Sequence, residues 1–372
     1  MATRKLRKEI LCRQCGVKLL VPLEERTIHC PSCGGIIMLQ SRFNDNVAPG
    51  MNGNVNSLPS NTQITGSSFA AHSLRREPAK AGILFRVQPS QISKQVSPSP
   101  ARGKKRALLC GITYKGHQKS LKGGINDVLS MRNLLIERFG FPGSSILLLT
   151  EEEREPYRIP TKRNIRASLR WLIQGCRSGD SLVFYYSGHG SRVRDRDGDE
   201  IDGYDESLLP VDYETEGRIL DDEINATIVR PLPYGATLHA IIDTCFSGTF
   251  LDLPYVCRIN REGYYMWDDH RVSHIYKGTS GGRAISISAC DDHQNSADTT
   301  AFTGVATGAL TYSFIKTLEQ EPELTYGRLM IAMRERVRKA QEQVCLKGSH
   351  ESQEPQLSTS QMFDIHSKPF TI

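Results

Sequence analysis

The C-terminal two-thirds of the chain carries short apolar runs that alternate with helical patterns, and this alternation restricts the fold more than any other feature. The runs are RALLCGITY, SILLLT, SLVFYYSG, TLHAIIDTC and AISISAC. Continuous apolar runs of this length suit strands buried on both faces of a parallel sheet. Between them, patterns such as PTKRNIRASLRWLIQG, with Thr161 as N-cap, predict amphipathic helices. The sequence therefore predicts an α/β domain over residues 104–372, with a mostly parallel sheet flanked by helices on both faces.

Two CxxC pairs stand near the N-terminus, in residues 1–40. Two such pairs at this distance can close a tetrahedral thiolate site, because each pair occupies two corners. We therefore predict a small finger that holds a structural zinc. A four-thiolate site leaves no open coordination position, which assigns the metal to folding and to contact with a protein partner rather than to catalysis. The predicted zinc ligands are Cys12, Cys15, Cys30 and Cys33.

Residues 41–103 are rich in Ser, Asn, Gln and Pro, a composition that predicts a flexible linker. The whole chain is 38% hydrophobic and 24% charged, and its apolar runs are too short for a membrane span. The first residues lack the apolar run of a secretory signal, so we expect a reducing compartment, the cytoplasm and also the nucleus. The basic residues of the N-terminal third lack an aromatic platform, so nucleic acid is not the expected partner.

Two of the apolar runs lead into reactive residues. His189 follows SLVFYYSG, and Cys245 ends TLHAIIDTC. Adjacent strand ends of one sheet could bring imidazole and thiol together, so that His189 deprotonates Cys245. Backbone N–H groups near Gly190 and Cys245 would then hold the oxyanion. The alternative is that each residue is structural, since a cysteine after a strand is commonly a small core residue.

Four segments resemble a known family. YSGHGS, DGDEIDG, ILDDEI and DTCFSG are similar, in this order, to motifs of the metacaspases, the caspase-like peptidases of plants, fungi and protists. The resemblance implies a caspase-type sheet with His189 and Cys245 as catalytic dyad. Only a short segment separates Cys245 from AISISAC, and CRQCGVKLLVPLEERTIHCPSCG resembles the plant zinc finger of the lesion-simulating-disease type. Together these features resemble the plant type I metacaspases, which implies a monomer with a role in programmed cell death or defence.

The resemblance also implies a substrate pocket lined by Asp127, Ser187 and Asp243. Two carboxylates in a cleft would select the guanidinium of Arg or the ammonium of Lys through charge-assisted hydrogen bonds. They disfavour a caspase-like preference for Asp. The alternative is that Asp127 caps a helix and that Asp243 only bonds backbone amides.

The acidic run from 195 to 223 is dense enough in oxygen ligands for calcium. It is not an EF-hand loop, because Glu200 stands where that loop needs glycine. We expect calcium to activate the enzyme by ordering the loop beside the active site. The calcium ligands implied by the resemblance are Asp205, Asp221, Asp222 and Asp252.

Basic residues follow the predicted nucleophile before the next strand, and a peptidase specific for Arg or Lys could cut itself there. The candidates are Arg258, Arg261, Arg271, Lys277 and Arg283, with Lys277 in the Gly/Ser-rich KGTSGGR preferred. The sequence thus predicts a calcium-activated cysteine endopeptidase made as a self-processing zymogen. The second hypothesis is a scaffold protein that binds partners through its zinc finger and whose caspase-like domain is largely silent.

Overall fold

The chain divides into two compact units, Met1–Ser93 and Lys94–Ile372, and the boundary falls inside the predicted linker. The structure is a computed structural model, and in the second unit it describes residues 104–198, 200–245, 247–260, 262–272, 276–289, 298–299, 307–344 and 354–372. In the first unit it describes four strands, which pair as two antiparallel hairpins: β1 Arg7–Leu11 with β2 Lys18–Pro22, and β3 Thr27–His29 with β4 Ile36–Met38.

The second unit alternates strands and helices as the sequence predicts. Its strands are β5 Lys105–Gly111, β6 Ile146–Thr150, β7 Ser181–Ser187, β8 Gly190–Arg194, β9 Tyr204–Leu208, β10 Ile219–Leu220, β11 Thr237–Asp243, β12 Tyr255–Ile259, β13 Tyr265–Asp269, β14 Arg283–Ser288, β15 Asp298–Thr299, β16 Thr307–Gly308 and β17 Gln356–Thr359. Its helices are α1 Gly124–Glu137, α2 Lys162–Ile173, α3 Tyr213–Glu216, α4 Asp221–Ile224, α5 Ala309–Gln320 and α6 Tyr326–Val344. Among the described helices, none combines the length and the apolar character that a membrane crossing requires.

Eight strands form the central sheet in the order β13-β12-β17-β14-β11-β7-β5-β6. The five strands that the apolar runs predict, β5, β6, β7, β11 and β14, are adjacent and parallel. The three remaining strands, β17, β12 and β13, extend one edge in antiparallel fashion. The predicted mostly parallel sheet is therefore confirmed, and the antiparallel extension is an addition that the runs do not signal.

Helices cover both faces of the sheet, because successive side chains of each buried strand point to opposite sides. On one face, Ala107 and Leu109 of β5 pack in a core with α1, α5 and α6. On the other face, Leu108 and Cys110 pack in a second core with α2. The predicted N-cap of α2 is also confirmed, since the Thr161 hydroxyl accepts a hydrogen bond from the backbone N–H of Asn164 at 3.3 Å.

The acidic run and the strand before it, β8, form a small separate sheet in which β9 pairs with β8 and with β10, both antiparallel. Its first strand, β8, begins at Gly190, three residues after the end of β7. The small sheet therefore lies at the carboxyl ends of the central strands. There it supplies polar residues beside the predicted catalytic pair.

Candidate active site

The predicted catalytic residues lie at matching positions on two neighbouring strands. In the parallel pair β7–β11, Ser187 is in register with Asp243, so His189 and Cys245 each stand two residues beyond a paired position. Both side chains are half-buried. The topology therefore brings the imidazole and the thiol to one edge of the sheet, as the sequence predicts.

Backbone and aromatic contacts fix the orientation of His189. Its Nε2 lies 2.6 Å from the backbone carbonyl oxygen of Lys119, and its ring is 4.5 Å from that of Tyr114 between centroids. The Tyr114 hydroxyl accepts the His189 backbone N–H at 2.8 Å and donates to the Leu209 carbonyl at 2.6 Å. Because a carbonyl oxygen only accepts, Nε2 must carry the proton. In the neutral ring, Nδ1 is then the nitrogen with a lone pair, which is the form a general base requires.

The start of β8 packs closely against the segment that carries the Cys245 thiol. A Cβ placed on Gly190 would lie 2.3 Å from the backbone oxygen of Cys245 and 2.5 Å from the Oγ1 of Thr244. No residue other than glycine fits this approach without a shift of the backbone. Thr244 is fully buried, and its carbonyl accepts the hydroxyl of Ser247 at 2.9 Å, so the turn around Cys245 is held from both sides.

The hairpin geometry bears on the predicted oxyanion site. The Leu209 N–H donates to the His189 carbonyl at 3.1 Å, and Gly190 is in register with Leu208. Hydrogen-bonded and non-hydrogen-bonded pairs alternate along an antiparallel ladder, so the Gly190 N–H points away from β9. This N–H therefore takes no part in the β8–β9 ladder, which the predicted oxyanion role requires.

The three predicted pocket residues are brought together. Ser187 donates to the Oδ2 of Asp127 at 3.2 Å, and Asp243 is near enough to Asp127 to raise its pKa. Burial, which is the larger cause, and the Asp243 carboxylate together raise the pKa of Asp127 to about 7. Asp127, Ser187 and Asp243 are all buried on the face of the sheet that α1 and α5 cover.

Both pocket carboxylates also hold the start of α5. Asp127 accepts the Thr307 hydroxyl at 2.5 Å and the Gly308 N–H at 3.0 Å. Asp243 accepts the Thr311 N–H at 2.9 Å and the Thr311 hydroxyl at 2.6 Å. The alternative from the sequence is thus seen in part: Asp243 bonds a backbone amide. Asp127 does not cap α1, the helix that carries it, but bonds the start of α5, where negative charge is stabilised.

A second group of carboxylates converges beside the small sheet. Glu200, Asp221 and Asp252 each offer an oxygen within 4.8 Å of the others. Asp221 accepts the Glu206 N–H at 2.7 Å, and burial and the Asp252 charge raise its pKa well above the ordinary value. The ammonium of Lys277 lies among these groups, in contact with Glu200 and 3.7 Å from Asp252.

The four predicted calcium ligands do not all join this group. Asp221 and Asp252 belong to it. Burial raises the pKa of Asp252, and the nearby Asp222 carboxylate adds to that rise. Asp205 instead groups with Asp195 and Asp197. All the donor atoms of this group are oxygens, and the Lys277 ammonium lies where a metal ion would contact them. Both features fit a hard divalent ion such as calcium. Glu200, Asp221 and Asp252 would hold it.

Three residues of the site were not predicted in these roles. Tyr114 orients His189, Glu200 joins the carboxylate group, and Lys277 neutralises part of it. Glu200 lies within the acidic DGDE run, so the density of acidic residues there is a signal in the sequence for its place in the carboxylate group. Tyr114 and Lys277 reach the site only through tertiary contacts, for which the sequence has no local signal.

The remaining predictions have mixed outcomes. The four zinc cysteines and Arg261 lie outside the described residues. Of the candidate cleavage sites, Arg258 lies within β12 and Arg283 begins β14, where strand pairing protects the backbone. Arg271 is exposed, whereas Lys277, the preferred candidate, is buried.

Comparisons with known proteins identify relatives of this chain. The family model for the metacaspase, peptidase C14 domain, matches residues 105–254. Metacaspase-3 of Arabidopsis thaliana is 47% identical over 371 residues, which are 98% of this chain and 99% of that protein. Metacaspase-1 of Arabidopsis thaliana is 54% identical over 295 residues, which are 74% of this chain and 80% of that protein.

Two solved structures are also similar. A Geobacter sulfurreducens protein has a TM-score of 0.49 at 21% identity and covers 73% of this chain and 99% of its own. The structure of pro-sf-caspase-1 has a TM-score of 0.42 at 8% identity and covers 73% of this chain and 95% of its own. Both scores are below 0.5, so the description of the fold rests on the sheet order and helix layers given above.

Proposed function

The chain belongs to the metacaspases, a family of cysteine-type peptidases, and from this premise we propose that it cleaves proteins after Arg or Lys when calcium is bound. The observation that carries the proposal is the buried carboxylate pair, Asp127 and Asp243, on the strand and helix that adjoin the His189–Cys245 edge. The predicted family resemblance is confirmed, and the preference, the metal and the physiological role are what we propose.

In the proposed reaction, Cys245 is the nucleophile and His189 the general base. The Nδ1 of His189 takes the thiol proton, and the sulfur attacks the carbonyl carbon of the scissile bond. The Gly190 and Cys245 N–H groups stabilise the oxyanion. As the carbon–nitrogen bond breaks, His189 returns the proton to the leaving amine. Water then hydrolyses the thioester and restores the thiol, with His189 as base again.

The proposed pocket selects basic side chains by charge. A guanidinium or ammonium group between Asp127 and Asp243 would neutralise two buried carboxylates that otherwise rely on hydrogen bonds from residues 307–311. A substrate with Asp at the same position would add a third negative charge to the pocket, which opposes binding.

Calcium is proposed to bind at Glu200, Asp221 and Asp252, where it would supply positive charge that neutralises the buried carboxylates. Asp252 lies seven residues after Cys245, and Thr249 in the same loop donates to Glu206 of β9 at 2.7 Å. The three carboxylates therefore lie where the loop after the nucleophile meets the small sheet that begins at Gly190. Fixing that loop is how the metal would favour the active arrangement.

The remaining parts of the proposal rest on the sequence. We propose that the four N-terminal cysteines hold a structural zinc, in a finger that contacts a protein partner. The enzyme is proposed to be a monomeric cytoplasmic zymogen that processes itself and acts in programmed cell death or defence.

An active-site label tests the proposal directly. A peptide ending in arginyl chloromethyl ketone should alkylate Cys245 in the presence of calcium, and mass spectrometry of the digested protein locates the adduct. We expect no adduct with EGTA, in the His189→Ala variant, or with the matched aspartyl ketone. Equal labelling by both ketones would remove the acidic-pocket proposal. If neither ketone labels folded, calcium-loaded protein, the scaffold hypothesis replaces the enzymatic one.

A further inference from the structure

One lysine occupies an unusual position in the fold. The Lys277 side chain is only 4% exposed, and it lies against the side chains of Glu200 and Asp252, which are 8% and 2% exposed. Its Nζ contacts Glu200 and lies 3.7 Å from the Oδ1 of Asp252. Lysine is rarely buried to this extent, because its ammonium loses hydration that must be replaced by charged partners.

Lys277 faces a group of carboxylates. The side chains of Glu200, Asp221 and Asp252 converge here, and the Lys277 ammonium lies against Glu200 and Asp252. An ammonium offers one positive charge and three donors, whereas a divalent cation offers two charges and binds six to eight oxygens. The group is therefore better suited to a divalent ion than to the lysine that now occupies its edge.

The chain around Lys277 shields the following peptide bond. Tyr276 is exposed, and its hydroxyl donates to the Thr279 carbonyl at 2.6 Å, so its ring folds back over the segment. A Cβ placed on Gly278 would lie 2.5 Å from the hydroxyl oxygen of that ring. The bond between Lys277 and Gly278 is thus closed on one side by a buried side chain and on the other by an aromatic ring.

The next residues tie the segment to the body of the domain. The Ser280 hydroxyl donates to the Arg230 carbonyl at 2.7 Å, and the Gly282 N–H donates to the Leu232 carbonyl at 3.1 Å. A change at Lys277 can therefore be local, because the chain from 280 onward keeps its own hydrogen bonds when the lysine leaves.

We propose that Lys277 is a built-in counter-ion that calcium displaces, so that binding of the metal releases this lysine and uncovers the bond between Lys277 and Gly278. This inference rests on the proposed function, because it assumes the calcium site and the preference for basic residues. A peptidase that cuts after lysine needs the ammonium of its substrate in its pocket. While Lys277 neutralises Glu200 and Asp252, it cannot enter another pocket, so the segment stays uncut until calcium takes its place.

Amine footprinting tests the displacement without any need for catalysis. The Cys245→Ala protein is pulsed with an acetylating reagent in EGTA, magnesium or calcium, and mass spectrometry measures the rate at Lys277. Lys115, whose side chain is 58% exposed, is the internal reference. We expect calcium to speed acetylation at Lys277 roughly tenfold, because its amine passes from a buried to an exposed position. The rate at Lys115 should stay unchanged.

Calcium affinity gives an independent readout. Titration calorimetry compares Lys277→Met, which keeps the apolar stem, with Lys277→Arg, which keeps the charge, both in the Cys245→Ala protein. If calcium must expel the side-chain cation at position 277, Lys277→Met should bind calcium on the order of tenfold more tightly than the unsubstituted protein. Lys277→Arg should show no such gain. If Lys277→Met does not fold without calcium, the footprint of the unsubstituted lysine still decides the question.

The outcomes separate this inference from the proposed function. Calcium that binds while Lys277 stays unreactive overturns the displacement and leaves a calcium-dependent peptidase untouched. A protein that binds no calcium overturns the proposed metal activation together with the displacement. Reactivity that rises with calcium supports the displacement whether or not the lysine is later cut.

Discussion

Replacing Asp127 by asparagine should make the protein more stable at high pH while it removes the proposed affinity for basic substrates. The substitution preserves the hydrogen bonds in outline. The amide oxygen can accept from the Gly308 N–H in place of Oδ2, and the amide nitrogen can donate to the Thr307 hydroxyl, which turns to accept. What changes is the charge of a group that is only 2% exposed.

The size and sign of the effect follow from the pKa of Asp127. Burial and Asp243 raise this pKa from 3.8 to about 7, so the folded protein binds more protons than the unfolded chain between these values. Wild-type stability should therefore fall as the pH rises through this window and level off above it. At about 1.4 kcal/mol per pH unit, the stability advantage of Asp127→Asn should grow by about 2 to 3 kcal/mol between pH 5 and pH 8.

Urea unfolding of the Cys245→Ala protein in EGTA measures this advantage. Both tryptophans of the chain, Trp171 and Trp267, lie in the second unit, so their fluorescence reports the unfolding of that unit. Glu319→Gln is the matched control, because its carboxylate is exposed and pairs with Lys316 across one helical turn; there we expect no pH-dependent difference. If the Asp127→Asn and wild-type curves run parallel from pH 5 to pH 8, Asp127 is not a buried charge and the argument fails.

Three further variants test other contacts. Gly190→Ala should lower kcat/KM on the order of a hundredfold, since its Cβ would meet the nucleophile's backbone oxygen at 2.3 Å, whereas Gly143→Ala, with 3.7 Å of room, should match wild type. Tyr114→Phe keeps the ring against His189 but loses its hydroxyl, and kcat should fall roughly tenfold with little change in KM; an unchanged kcat would remove the positioning role. His239 is buried and its pKa is lowered to about 3, so wild type should lose stability as the pH falls below about 6.5, and His239→Gln should lessen that loss in acid unfolding. A loss of equal size in both proteins would contradict this assignment.

The central sheet follows from the sequence because its signals are local. The five runs from RALLCGITY to AISISAC predict the parallel strands, and Thr161 caps α2 as its position indicates. The antiparallel strand β17 is different, since it pairs with β14 across most of the C-terminal region. No short-range pattern signals that pairing, because β17 lies between β14 and β12, which are distant from it along the chain.

The active site divides in the same way. His189 and Cys245 lie just past predicted strands, so the topology of a parallel sheet is enough to bring them together. Lys277 lies far along the chain from Glu200, and their contact exists only once the segment 276–282 has folded against Glu200 and Asp252. The sequence offered Lys277 as an accessible cleavage site because glycine and serine follow it. Burial among carboxylates, a tertiary effect, overrides that local signal.

Cleavage of paired fluorogenic peptides tests the central claim most directly. Peptides that end in Arg or in Asp are offered to wild type and to Cys245→Ala, each with millimolar calcium or with EGTA. We expect cleavage after Arg only, in calcium only, with a loss of at least about a thousandfold in Cys245→Ala. Cleavage after Asp, or cleavage that survives in Cys245→Ala, would contradict it.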